Sequence, residues 1–135
     1  MAHEGETFFT AIGCMDGRVQ TPIKRFGQRR FGVKYKDTLT EAGLVGLLSS
    51  EEKDEALHAS IRKKLLVSVE KHHSKGIVVH GHQECAGNPV EDQQHKKDIK
   101  KATKVIKDML PDGVSIPVIP VFVKRRGKGW TVEEL

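Results

Sequence analysis

Gly76-Ile77-Val78-Val79-His80-Gly81-His82-Gln83-Glu84-Cys85 is the stretch on which the reading of this chain turns. A run of β-branched apolar residues after a glycine describes a short strand over 77–80, and the polar, glycine-flanked segment behind it describes a loop. Upstream, Leu57, Ile61, Leu65 and Val69 recur every four residues, which predicts a helix over 54–73 with Gly76 placed to end it. His72 and His73 fall in the basic last turn of that helix, where they complement its dipole. Downstream, Ile99, Ala102, Ile106 and Leu110 share one stripe of a second long helix over 91–110, stopped at Pro111.

The same alternation extends in both directions. Thr7 to Ile12 is a β-prone run ending at Gly13, which reads as a buried strand. Thr21-Pro22 looks like an N-cap followed by proline at the first helical position, opening a short helix through about Arg29. Residues 33–39 alternate apolar and polar and read as a second strand, and 41–48 as a short helix. The last strand spans 116–123, and Pro117 and Pro120 confine it to an irregular or edge position. Strands alternating with helices predict an α/β fold with a mainly parallel sheet flanked by helices. Sites in such folds form at the carboxyl ends of strands.

A length of 135 residues without repeats or low-complexity linkers predicts a single domain over 1–135, large enough for a core without disulfide staples. No apolar run approaches the ~20 residues needed to span a membrane. The N-terminal segment lacks the layout of a signal peptide, so a cytoplasmic location is expected. The net charge of +5 raises nucleic-acid binding as a role, but the basic residues are spread over several predicted helices. One Trp, one Tyr and five Phe leave few rings for base stacking, which argues against it.

The chain's two cysteines, Cys14 and Cys85, both lie in glycine-flanked segments after apolar runs: Gly13-Cys14-Met15-Asp16-Gly17-Arg18 and His80-Gly81-His82-Gln83-Glu84-Cys85. Two thiolates and the His82 imidazole make a borderline-soft ligand set that suits Zn²⁺ and leaves a fourth tetrahedral position open, the usual form of a catalytic zinc. The strand pattern places these ligands on one edge of the sheet. A Cys14–Cys85 redox disulfide is the alternative, and it leaves His82 and the Asp16–Arg18 pair unexplained. Asp16 and Arg18 lie two apart, so an extended backbone sends both the same way, and a bidentate contact depresses the carboxyl pKa. In a continuing strand His80 shares a face with His82 and is expected to be a hydrogen-bonded residue lining the site. Gln83 and Glu84 read as loop residues. Gly87-Asn88-Pro89 reads as a turn that aims backbone N–H groups and the following helix N-terminus at the site. His3, His58 and His95 belong to no constellation.

The Cys-x-Asp-x-Arg and His-x-x-Cys segments, in that order, resemble the metal-binding motifs of β-class carbonic anhydrases. The resemblance implies zinc ligation by Cys14, His82 and Cys85, with Asp16–Arg18 as a catalytic dyad. It also implies hydration of CO₂ to bicarbonate by zinc-bound hydroxide, whose hydrogen bond Asp16 accepts. Asp16 either takes the fourth zinc position or swings to Arg18 and leaves that position to water, and the sequence leaves both states open. The family's two-subunit pocket implies a homodimer or higher homo-oligomer, for which Arg29, Arg30 and Phe31 are interface candidates. Where the family carries Arg-Asn-Ala-Gly, this chain has Thr40-Glu41-Ala42-Gly43, and its Cys-Gly is Cys85-Ala86. A hydrolase of carbonyl sulfide or carbon disulfide and a non-catalytic zinc-binding protein are the alternatives.

Overall fold

In the computed structural model, which describes residues 2–135, the chain runs β1 (Phe8–Cys14), α1 (Gly17–Phe31), β2 (Tyr35–Glu41), α2 (Leu44–Ser49) and α3 (Glu55–Leu66). A π-helical turn (Val67–Lys71), β3 (Ile77–His82), α4 (Asp92–Met109), β4 (Val118–Arg126) and β5 (Gly129–Glu134) follow. The strands form one five-stranded sheet in the order β2-β1-β3-β4-β5. All neighbours are parallel except β4 and β5. Alternate strand residues serve two cores. Phe9, Ala11, Val78 and Val121 pack with Val19 and Ile23 of α1 on one face. Ile12, Val79 and Phe122 pack with Leu44, Leu65, Ile99 and Ile106 from α2, α3 and α4 on the other. Among the described residues no helix is long and apolar enough to cross a membrane.

The order of crossovers locates the working edge. From β1 the chain passes through α1 to β2 on one side, then through α2 and α3 to β3 on the other. The strand order therefore reverses between β1 and β3, and the crevice at their carboxyl ends is where open α/β sheets bind ligands.

Several elements differ from the sequence expectation. Helix α1 starts at Gly17, because Asp16 is its N-cap and accepts the Arg18 N–H on Oδ1 at 2.9 Å. Pro22 therefore lies inside the helix, at the cost of one backbone hydrogen bond, and Thr21 caps nothing. Strand β4 is not an edge: it pairs with β3 and with β5. Pro120 is tolerated because its carbonyl points to the β5 side, where it accepts the Leu135 N–H at 2.9 Å beyond the last β4–β5 rung. A residue's N and carbonyl share one side of a strand, so the missing N–H breaks no rung with β3. The β5 hairpin partner was not foreseen.

Helix α3 is regular only to Leu66, and His72 lies past the π turn rather than in a last α turn. Its Nδ1 meets Asp37 Oδ2 at 2.7 Å. Ser68 Oγ donates to the same oxygen at 2.7 Å and lies 2.6 Å from Thr10 Oγ1, which donates to Ser74 Oγ at 2.7 Å. Ser74 in turn donates to the Gly76 carbonyl. This network fixes the π turn against the amino ends of β1 and β2 by hydrogen bonds, not by dipole complementarity.

Candidate metal centre

Cys14 ends β1, His82 ends β3, and Cys85 follows in the loop, so the two parallel strands deliver all three to the switch-point crevice. One ligand atom from each of the three lies within 4.8 Å of the other two, and all three residues are buried. The sulfurs are 3.7 Å apart. Two sulfurs bound tetrahedrally at ~2.3 Å from one zinc stand about 3.8 Å apart, so the pair has the spacing that the ion requires. His82 Nδ1 lies 2.7 Å from the Gln83 carbonyl, which fixes it as the protonated nitrogen. Nε2 is then left as a free lone pair, buried and without a hydrogen-bond partner among the described residues. A buried orphaned imidazole nitrogen beside two thiols fits a zinc ion.

The electrostatics point the same way. Burial opposes ionisation of Cys14, but the adjoining His82 imidazole and hydrogen bonds from the backbone N–H groups of Gly43 and Asp16 outweigh it and bring the thiol down to about 7. Burial and the neighbouring Cys14 hold Cys85 up, against the Asn88 and Gly87 backbone N–H groups. One thiolate forms readily, and its charge opposes ionisation of the second thiol. Gly43 N–H donates to Cys14 Sγ at 3.4 Å. Gly43 has φ +61°, and a Cβ there would strike the Gly87 backbone, so only glycine fits this approach. The retained Ala42-Gly43 of the β2–α2 turn thus supports the cysteine. Glu41 is in register with Cys14, but its side chain is exposed and makes no hydrogen bond or ion pair among the described residues.

Asp16 and Arg18 meet across the start of α1 rather than along an extended segment. Arg18 Nη2 donates to Asp16 Oδ2 at 2.7 Å and Nε to Oδ1 at 3.1 Å. The Arg18 side chain lowers the Asp16 carboxyl to about 2, so it is ionised at every working pH. Asp16 Oδ2 stands 3.9 Å from His82 Nε2, beside the ligand cluster. Gln20 Nε2 donates to the carbonyls of Cys14 and Asp16, both at 2.9 Å, and locks the loop between them.

His80 is fully buried, with neither ring nitrogen partnered among the described residues, which corrects the expectation of a hydrogen-bonded residue. Its ring lies over Gly13 on the neighbouring strand, where any Cβ would collide with it. Burial pushes it down to about 3, so it is a neutral filler under the site. His95, assigned nothing from sequence, is buried against Gly81 with its ring 6.4 Å from His82. Phe31 is half-buried and packs on Phe9 with ring centres 6.0 Å apart.

Sequence reasoning missed Glu84, Arg125 and Trp130. Arg125 Nε and Nη2 donate to the Glu84 carboxylate at 2.7 and 3.0 Å, and Arg18 reaches the same carboxylate at 3.4 Å. Both guanidiniums lie over the Trp130 ring. Glu84 had one available signal, its place between two ligands. A cavity of about 600 Å³ lies elsewhere, between α2, α3 and α4, lined by Ser49, His58, Arg62 and Lys101, and does not include the cluster.

A switch-point α/β sheet carrying a Cys/His/Cys cluster defines a candidate metalloprotein. The family described as "Putative carbonic anhydrase" matches residues 4–135, and the chain belongs to that family. The fold is similar to that of the carbonic anhydrase of Streptococcus mutans, with 18% identity, TM-score 0.58, and 99% of this chain and 86% of that one covered. It is likewise similar to β-carbonic anhydrase isoform I of the protozoan Trichomonas vaginalis, with 16% identity, TM-score 0.55, and 98% and 85% covered. The β-carbonic anhydrase of the fungal pathogen Aspergillus fumigatus matches at 15% identity and TM-score 0.51, over 96% and 76%. A search of the curated proteins finds no match.

Proposed function

We propose that this protein is a zinc-dependent carbonic anhydrase that interconverts CO₂ and bicarbonate. The observation that carries the reading is the Cys14–His82–Cys85 cluster at tetrahedral spacing beside an ionised Asp16 clamped by Arg18. When bound there, zinc supplies a Lewis acid that makes a water nucleophilic near neutral pH. Cys14, His82 and Cys85 are its ligands, with Gly43 N–H and the Gln83 carbonyl holding Cys14 and His82 in orientation. Asp16 and Arg18 are the catalytic pair. Asp16 accepts a hydrogen bond from the nucleophile, and Arg18 keeps the carboxylate aligned and ionised. A reducing, cytoplasmic setting suits two thiolate ligands.

We further propose a homodimer or higher homo-oligomer as the working unit. Met15, Val90 and Leu47 are 61%, 40% and 38% exposed, and the first two lie in or next to the ligand segments. An exposed apolar rim at a site for a small apolar substrate favours cover from a second copy.

Stopped-flow CO₂ hydration with metal analysis tests the reading. About one zinc per chain with hydration supports it. Zinc without turnover makes the protein a non-catalytic zinc binder, and turnover of carbonyl sulfide or carbon disulfide alone makes it a hydrolase relative. A monomeric mass by light scattering with activity intact removes the oligomer.

A further inference from the structure

Arg18 is long and its side chain is 41% exposed, so on its own it would sample many rotamers and hold Asp16 only part of the time. The fold does not leave it alone. Its Nη2 donates to the Glu84 carbonyl at 3.2 Å and its Nη1 to Glu84 Oε1 at 3.4 Å, while its guanidinium lies 5.1 Å from the Trp130 ring centre. Glu84 is itself forked by Arg125, which stacks at 4.5 Å on the same indole. Arg125 and Trp130 face each other across the β4–β5 hairpin, and the Arg125 backbone N–H donates to Gln83 Oε1 at 2.8 Å. The hairpin is thereby tied to the loop that carries His82 and Cys85. Glu84 adopts φ +58°, a left-handed conformation unfavourable to a residue with a side chain, and its carbonyl and carboxylate both reach Arg18.

We propose that Glu84, Arg125 and Trp130 are positioning residues that hold Arg18 and, through it, keep Asp16 beside the fourth metal position rather than on it. The inference rests on the zinc reading above. Asp16 Oδ2 is 3.9 Å from His82 Nε2, so a short side-chain rotation separates the Arg18-paired arrangement from one that caps the ion. Removing the Glu84 carboxylate leaves Arg18 with only the Glu84 carbonyl and Asp16, and sets two like-charged guanidiniums against each other over one ring. Asp16 is then held less firmly and competes for the metal.

The competition is read directly with the cobalt-loaded protein, whose visible spectrum reports the fourth ligand, titrated with thiocyanate as the probe of the open position. Glu84→Ala should weaken thiocyanate roughly fivefold, the scale set by loss of exposed charge contacts. Trp130→Leu should shift it in the same direction, with Trp130→Phe restoring part of the loss because it returns a π face. In an Asp16→Asn background, Glu84→Ala should leave affinity unchanged, since the competing carboxylate is gone. Wild-type affinity in both Glu84→Ala and Trp130→Leu overturns the clamp, as does an equal loss with and without Asp16. A wild-type protein that takes up no cobalt and no zinc overturns the metal site itself. Stoichiometric uptake with an unresponsive Glu84 removes the clamp alone.

Discussion

The amino ends of β1 and β2 and the carboxyl ends of β1 and β3 each bring a histidine, an aspartate and small polar or sulfur groups together, with different outcomes. At the amino ends, Asp37 takes His72 and Ser68 at 2.7 Å each, and Thr10 and Ser74 pass the chain of bonds on to the Gly76 carbonyl. At the carboxyl ends, His82 keeps Nε2 buried and unpartnered among the described residues, and two thiols stand 3.7 Å apart beside it. Burying a polar atom without a partner costs about 1–3 kcal/mol, and at His82, unlike the filler His80, the unpaired nitrogen stands beside two thiols with which it could share one ion. The closed network is structure; the open cluster is the candidate metal centre.

The comparison breaks first on metal. Cys85→Ser should drop zinc to a small fraction of one per chain, abolish hydration and lower thermal stability, because metal-binding energy is coupled to folding. Elemental analysis with a melting curve checks this, and full occupancy would return Cys85 to a buried thiol. Next, Asp16→Asn should keep zinc yet lose ~10²-fold or more in kcat/KM by stopped flow, the scale of a positioned acid–base group. At the other end, Ser68→Ala should cost about 1–3 kcal/mol in denaturant unfolding, since it strips a hydrogen bond from Asp37 and the hydroxyl packed 2.6 Å from Thr10 Oγ1. Zinc content and turnover should stay within about twofold of wild type if the two ends are independent, as sites this far apart in the fold ordinarily are.

The smallest effect concerns protons. In metal-free protein, alkylation of Cys14 should rise through pH about 7, with Cys85 lagging because burial and the Cys14 charge hold it up. Cys14 titrates lower in the folded than in the unfolded chain, so its contribution to stability is absent below pH about 7 and grows as pH rises toward the ordinary thiol range. Mass-mapped alkylation across pH reads the order of the two thiols. Equal rates would erase the asymmetry.

The ligand end was legible because its information is local. Cys14 and His82 each follow an apolar run and a glycine, with Cys85 three residues beyond His82, and parallel topology supplies the rest: strands ending at the switch point bring Cys14 and His82 together. The parallel α/β fold was legible from the helical stripes and the β-branched runs. What escaped depends on pairings that no short window contains. The Asp16–Arg18 pair reads as lying along an extended segment, whereas Asp16 caps the start of α1 and Arg18 lies in its first turn. Pro120 argues against an interior strand unless one knows that its nitrogen faces past the last β5 rung. Residues 129–134 carry no apolar run, and they become a strand because β4 offers them an edge. With that hairpin went Arg125 and Trp130. The opposite network was hidden for a similar reason, since a π turn has to form before Ser68 and His72 can both reach Asp37.

The two sulfurs also have a topological meaning. Cys14 and Cys85 are 71 residues apart, so one ion gripping both closes a loop over more than half of the chain. A covalent link of that span removes about 4 kcal/mol of chain entropy from the unfolded ensemble. An ion bound there would therefore double as a reversible cross-link, clasping β1 to the loop after β3 across the intervening crossovers.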